Sequence, residues 1–308
     1  MVYGKTAVAA AITRGIEARG VPAEGRIEIR SSLGQFQAGL DGYRLTRVQS
    51  DSHLRPFARL FSSLFFRFRK AVGMKITVRS SIPAQSGLAS SAAVSAALIR
   101  LGLLFLEEKA PVEALVDWIY ESEIEIQKRG SILGSSCSAL GGFVTVKNGK
   151  WSRLNVQGKD PEILVIDSRE RCATSKTTAH VKRKLDRDRK ATEALFEEMD
   201  DIARAGKKQI EEGNWPEVGS LMSQNQACLQ RLGVSTPKID FLIREIKDSV
   251  WGIKITGAGG GGCVVCIPKK KQGKKLAEKI THAHCRVLKA EINREGVRCA
   301  RRRALCKV

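Results

Sequence analysis

Residues 75–106 read KITVRSSIPAQSGLASSAAVSAALIRLGLLFL, and the reading of this stretch decides the rest. Its first residues alternate as a strand does, and its second half is apolar at helical spacing. Between them lies an uncharged run of Gly, Ser and Ala. An anion site needs backbone N–H groups that converge, little side-chain bulk and a helix N-terminus whose dipole favours negative charge. Gly87 lets the chain turn, Ala89, Ser90, Ser91 and Ala92 keep it bare, and the helix follows at once. The run has neither the GK[ST] of a Walker loop nor a GxGxxG fingerprint, and a bare turn alone is more often a simple helix cap.

The whole chain bounds what such a loop could serve. A length of 308 residues suits one large or two medium domains. No apolar run reaches the roughly 18 residues of a bilayer span. The opening MVYGKTAVAAAI has one Lys and too short an apolar core for a signal peptide, so a cytoplasmic protein without a membrane segment is expected. The net charge of +21 favours anionic ligands. The clusters at 180–190, 268–275 and 298–307 are short and carry no interleaved aromatics, which makes nucleic acid an unlikely partner and solvated basic faces the better reading. Eight cysteines in a chain of this size, with no secretory leader recognised, are expected as reduced thiols. Cys263, Cys266, His282, His284 and Cys285 have a zinc-like spacing, but GCVVCI reads as a strand that sends Cys263 and Cys266 to opposite faces.

Strand-like runs at 4–12, 25–32 and 75–81 mix with a helical pattern in RVQSDSHLRPFARLFSSLFFRFRKAVG and helices at 89–106 and 111–127. Asn-Gly in GGFVTVKNGKWSRLNV marks a hairpin, and EILVIDS a strand. Long charged helices are expected at 177–206 and 207–232, and a further one after Pro237 with a Ser/Thr cap. GIKITGAGGGGCVVCIP reads as strand, glycine loop, strand; KKLAEKITHAH as a helix; RVLKAEI as a last strand. Such irregular mixing is that of an α+β fold.

PAQSGLASSAA resembles the phosphate loop P-x-x-x-G-L-x-S-S-A of the GHMP kinases, and KITGAGGGGCVV is similar to that family's second glycine loop. VYGKTAVAAAI, SKTTAHVKR and GSLMSQNQACLQRLGVSTPKIDFLI resemble segments of mevalonate kinases, the archaeal kind above all. The resemblance runs over nearly the whole chain. It implies the two-domain GHMP kinase fold, with a ribosomal-S5-like N-terminal domain over 1–158, a ferredoxin-like C-terminal domain over 159–298 and a loose basic tail over 299–308. It further implies ATP and Mg²⁺, a small mevalonate-like substrate and homodimers of the kind mevalonate kinases often form. Carried over residue by residue, Pro83, Ser86, Gly87, Leu88, Ala89, Ser90, Ser91 and Ala92 cradle the nucleotide phosphates with Gly257, Ala258, Gly259, Gly260 and Gly261. Ser91 and Glu123 match the magnesium ligands, and a hydroxyl with a carboxylate suits that hard cation.

Two departures accompany the match. Mevalonate kinases carry an aspartate eleven residues after the magnesium glutamate, and here that position is Gly134, with no Asp or Glu between Lys128 and Lys150. The family's opening strand, resembling P-G-K-V-I-L-x-G-E-H, has no counterpart ahead of MVYGK, as a late gene start would produce. The expectation is an ATP-dependent kinase acting on a hydroxyl of mevalonate or a close relative. Its rivals are a non-catalytic ATP-binding homologue and a relative of the 3-kinases and decarboxylases, whose G-S-A-C-R-S-L-x-G-G-F resembles GSSCSALGGF.

Overall fold

The computed structural model describes residues 3–127, 130–270, 272–300 and 304–308. The basic residues at 271 and 301–303, counted above in two charge clusters, lie outside the described residues. In chain order the strands and helices begin with β1 (Ala7–Ala10), β2 (Ile16–Pro22), β3 (Arg26–Ser31), β4 (Gly34–Asp41), β5 (Arg44–Ser50), α1 (Pro56–Phe68) and β6 (Met74–Ser80). There follow α2 (Ser90–Leu106), α3 (Val112–Gln127), α4 (Ile132–Leu140), β7 (Phe143–Lys147), β8 (Lys150–Arg153) and β9 (Leu164–Asp167). The chain continues through α5 (Thr174–Arg187), α6 (Arg189–Glu211), α7 (Trp215–Leu232), α8 (Pro237–Ile246), β10 (Val250–Ile255) and β11 (Cys263–Pro268). It ends in α9 (Gly273–His282), β12 (Arg286–Leu288), β13 (Arg298–Ala300) and β14 (Leu305–Lys307).

Two compact units interleave along the chain. One holds residues 1–13, 83–89 and 143–292, and the other residues 14–82, 90–142 and 293–308.

The second unit is built on a seven-stranded sheet ordered β13-β14-β2-β6-β3-β4-β5. Alternation sends Ile16 and Ala18, Ile27 and Ile29, Phe36 and Ala38, and Met74 and Ile76 to one buried face, while the residues between them stay wet. The buried face is covered by helices. α1 starts with Pro56 at its first turn and presents Phe57, Leu60, Phe61, Leu64 and Phe65 inward. Each such side chain contributes about 1.5–3 kcal/mol by leaving water. α2 is apolar nearly all round, so it is buried among other elements, and Gly102 lets Leu64 and Phe61 come close.

The first unit has a four-stranded antiparallel sheet, β10-β11-β9-β12, and a three-stranded one, β1-β7-β8. Ile239, Leu242 and Ile246 of α8 and Leu276 and Ile280 of α9 pack with Ile253, Ile255, Val264 and Cys266. β10 is an edge strand, and α7 covers it. Ser223 Oγ accepts the Ile253 N–H at 3.4 Å, and Gln226 Oε1 accepts the Ile255 N–H at 2.9 Å. The approach is close because Gly219 meets Gly252: a Cβ on Gly252 would lie 1.7 Å from the Gly219 carbonyl oxygen.

Several expectations need correction. The stretch from Arg47 to Ser50 belongs to strand β5, so the helical pattern begins only at Pro56. The long helix expected at 177–206 is two helices, because Asp188 leaves helical geometry and its carboxylate caps Ala191 N–H. The loose tail is a hairpin at its described ends: β13 pairs with β14, and β14 with β2. Across that hairpin Cys299 and Cys306 form a disulfide, against the expectation of reduced thiols throughout. Cys263 and Cys266 do face opposite ways, Cys263 toward Val165 and Leu288 and Cys266 toward the α8 side.

Candidate active site

In the first unit, the Pro83–Ala89 loop and the glycine loop after β10 meet mainly through backbone, with the Thr256 side chain joining them. The Ser86 carbonyl accepts the Cys263 N–H at 2.9 Å. The Thr256 hydroxyl reaches the same carbonyl at 3.4 Å and the Cys263 carbonyl at 3.0 Å. Gly87, Gly257, Gly259, Gly260, Gly261 and Gly262 all have positive φ, which only glycine adopts without strain. Gln85 and Ala89 are left-handed too, so the Pro83–Ala89 turn is held in an unusual conformation by its surroundings. Bare glycine backbone on both loops brings N–H groups forward with little side-chain bulk, which is the chemistry of a phosphate cradle.

The glycine loop is braced from behind. Gly260 N–H donates to the Val234 carbonyl at 2.7 Å and Gly262 N–H to that of Glu170 at 3.0 Å, while the Thr177 hydroxyl donates to the Gly259 carbonyl at 3.1 Å. Ser168 N–H donates to the Gly262 carbonyl at 3.0 Å. Beside it, buried Asp167 accepts hydrogen bonds from Nη1 and Nη2 of Arg171, at 2.6 and 2.8 Å, and from the Arg169 N–H at 2.8 Å. Burial alone would raise the Asp167 carboxyl, but the Arg171 guanidinium and the Arg169 N–H outweigh it and hold it below the usual carboxylate value. Sequence reading missed this brace, whose only signal is an acid at the end of a strand followed by Arg at the fourth position in DSRER. It also passed over Lys254 on β10, a half-buried amine that donates to the Ile255 carbonyl at 2.7 Å and that burial pulls down to about 8.

In the second unit, α2 opens with Ser90 and Ser91, and α3 carries Glu123. Glu123 is 6% exposed. Burial pushes its carboxyl up to about 7, and a hydrogen bond from the Ser91 hydroxyl offsets only part of that rise. One turn further on, Ser95 Oγ and Ser122 Oγ lie 2.9 Å apart and pin α2 to α3. A buried carboxyl that water no longer stabilises, beside a hydroxyl, is an oxygen pair that a divalent cation would return to the charged form. Ser91 and Glu123 therefore fit Mg²⁺. Gly134 lies in the first turn of α4, which sequence reading left unassigned; Ser131 caps that helix and no acid occupies its first turn. Buried Ser135, Ser136 and Ser138 follow, with the Ser136 hydroxyl turned back to the Ile132 carbonyl.

With this geometry in place the comparisons with known proteins agree. Residues 55–142 match the GHMP kinases N terminal domain and residues 207–287 the GHMP kinases C terminal. The chain belongs to the GHMP kinases, and it is a phosphotransferase of that family. Among similar relatives, the mevalonate kinase of Pyrococcus furiosus is 30% identical over 75% of this chain and 70% of its own. That of Archaeoglobus fulgidus is 30% identical over 89% of each. In structure the chain is similar to the Methanococcus jannaschii mevalonate kinase, with a TM-score of 0.82 at 23% identity over 94% of this chain and 92% of that one. It is also similar to Lactococcus lactis galactokinase, with a TM-score of 0.76 at 17% identity over 96% and 89%. Both structural likenesses concern the fold.

Proposed function

We propose that this chain transfers the γ-phosphoryl group of ATP to a hydroxyl of mevalonate or a close analogue, with Mg²⁺ as cofactor. The observation that carries the reading is the backbone-to-backbone seat of the Pro83–Ala89 loop on the Gly257–Gly262 glycines in a chain whose relatives are archaeal mevalonate kinases. Gly87, Leu88 and Ala89, with Gly257 and Gly259, offer N–H groups to the phosphates; Ser90 and Ser91 extend the same run into the N-terminus of α2. Ser91 and Glu123 are the residues that would hold Mg²⁺, which when bound neutralises charge on the nucleotide phosphates.

The Gly134 position supplies no carboxylate to take the proton of the accepting hydroxyl. A general base contributes about 10²- to 10⁴-fold, and a loose phosphoryl-transfer transition state asks little of one. Turnover slower than that of relatives with the aspartate is the consequence, and the proton leaves to solvent. No helix among the described residues is long and apolar enough to cross a membrane, which is compatible with work in the cytoplasm. The test is ADP release by the purified chain with Mg²⁺, ATP and mevalonate, with phosphorus NMR on the product. Mevalonate-dependent release supports the proposal and the spectrum names the hydroxyl; ATP binding without release under any of these conditions overturns it in favour of a non-catalytic homologue.

A further inference from the structure

The open face of the seven-stranded sheet gathers cations from segments far apart in sequence. Thr77 of β6 is at the centre. Lys75 and Arg79 lie two residues to either side on the same strand, Arg19 is its partner on antiparallel β2, and Arg30 its partner on parallel β3. All five are exposed. Strand spacing of about 4.8 Å and a rise of about 3.4 Å per residue put the lateral pair roughly 10 Å apart and the axial pair roughly 13 Å apart. The result is a cross of four positive charges around one hydroxyl.

The acids nearby do not neutralise this cross. On the outward positions of β2, β3 and β6 the acids are Glu17, in register with Arg79, and Glu28, in register with Lys75. Each is engaged elsewhere: Glu17 with Lys307 at 3.2 Å and Glu28 with Arg26 at 2.7 Å. The side chains of Arg19, Arg30, Lys75 and Arg79 make no ion pair among the described residues. Helices α5 and α6 also carry several cations each, but α6 is laced with acids and cations of both helices are paired, as Lys182 with Asp186 and Arg189 with Glu193 show. Like charges on neighbouring positions of a sheet oppose folding. Exposed Arg44 on β5 stands in register with Asp41, and exposed Lys307 on β14 is the partner of Glu17, so the uncompensated charge is centred on the cross itself.

The shape of the face narrows the partner. It is an open sheet surface, so a lone small anion would stay in water, whereas a chain of phosphates can engage several cations at once. The outward residues of β2, β3 and β6 include no aromatic ring, so single-stranded bases have nothing to stack on. A second copy of this face would be repelled. We propose that the surface centred on Arg19, Arg30, Lys75 and Arg79 docks the phosphate backbone of a duplex nucleic acid, without reading its bases. Sequence reading set nucleic acid aside because the linear clusters are short; this patch exists only once β2, β3 and β6 are side by side.

The test is fluorescence anisotropy with a labelled DNA duplex of about one and a half turns and arbitrary sequence, titrated with the full chain from 50 to 200 mM salt. The R19S/R30S/K75S variant is compared with K182S/R183S/K190S, which removes the same charge from helices α5 and α6. In the sheet variant the log–log salt slope should fall by about 2.7, or roughly 0.9 for each phosphate no longer neutralised. The helix variant should keep the slope of the unaltered chain. Circular dichroism melting checks that both fold. If the triple sheet variant does not, Thr77→Glu, which sets an acid at the centre of the cross, should weaken binding more than fivefold. Equal losses in both triple variants, a Thr77→Glu chain that binds as before, no duplex binding at 50 mM salt, or capture of phosphatidylserine vesicles in place of duplexes would each overturn the proposal.

Discussion

Gly87 and Gly257 meet backbone against backbone: a Cβ built on Gly257 would stand 2.7 Å from the Gly87 Cα, and one on Gly87 would stand 2.7 Å from the Thr256 carbonyl oxygen. Both residues also have positive φ, +76° and +64°. Two motifs 170 positions apart therefore specify each other at a separation that no side chain permits.

Gly257→Ala should raise the KM for ATP by about tenfold or more and lower the melting temperature, because it adds strain of about 1–3 kcal/mol and pushes the phosphate loop away. Gly158→Ala is the control. Its φ is +75° and nothing lies within 4 Å of the new Cβ, so it carries the strain without the collision. Steady-state kinetics that show the same KM shift in both would reduce the effect to general destabilisation.

Glu123→Gln should cut ATP turnover by more than about 100-fold, since even residues that only orient a metal ligand cost 10- to 100-fold. The amide needs no charge in its buried site, so far-UV dichroism and melting should be unchanged or slightly better. A variant that turns over at the unaltered rate removes Glu123 from the metal site.

Arg171→Met should destabilise the chain by about 1–3 kcal/mol at pH 7, because it leaves the buried Asp167 carboxylate short of its donors. The sign with pH follows from the lowered Asp167 value. The pair stabilises above the ordinary carboxyl value of 3.8, and that stability is lost as pH falls through the still lower folded value. Urea melts of the two proteins should therefore converge in acid and diverge toward neutrality; a constant difference across pH would contradict the ion-pair account.

Lys254→Met should act in the opposite direction. The amine falls from its ordinary 10.5 to about 8 in the folded chain, so at pH 7 folding must carry a charge in a poorly solvated site. Replacing it should stabilise by about 2 kcal/mol at pH 7, at 1.36 kcal/mol per unit with a discount for the partial exposure of the side chain. The gain should shrink between pH 8 and 10.5 and vanish above, and thermal melts at pH 7 and 10.5 read it directly. A variant that melts lower at pH 7 would show that the hydrogen bond to the Ile255 carbonyl outweighs the desolvation.

What the sequence made legible was whatever rests on local chemistry. The bare PAQSGLASSAA turn, the Asn148-Gly149 hairpin and Pro237 after its Thr cap all announce themselves within a few residues, and each stands where expected. Glu123 could be named only through the family resemblance, since its burial and its bond to Ser91 depend on α2 lying beside α3. The Arg47–Ser50 segment misled because its apolar spacing merges with that of α1, and only pairing with β4 settles it as strand. The α4 helix was unreadable for another reason: ILGSSCSAL is rich in Gly and Ser, poor helix formers that tertiary packing overrides here. The cationic cross on β2, β3 and β6 has no linear signature at all.

The interleaving of the two units bears on how the protein is made. The chain passes between them after residues 13, 82, 89, 142 and 292. A ribosome that has released the first 142 residues has produced most of the second unit but not the hairpin of β13 and β14 at its edge. The first unit cannot close until residue 292 has emerged, because β1 at the very start waits for β7, and the bridge from Ile12 waits for Ile292. Nascent chains of this kind hold apolar strands open during synthesis, and a lower growth temperature, which weakens association between exposed apolar strands, should raise the soluble yield.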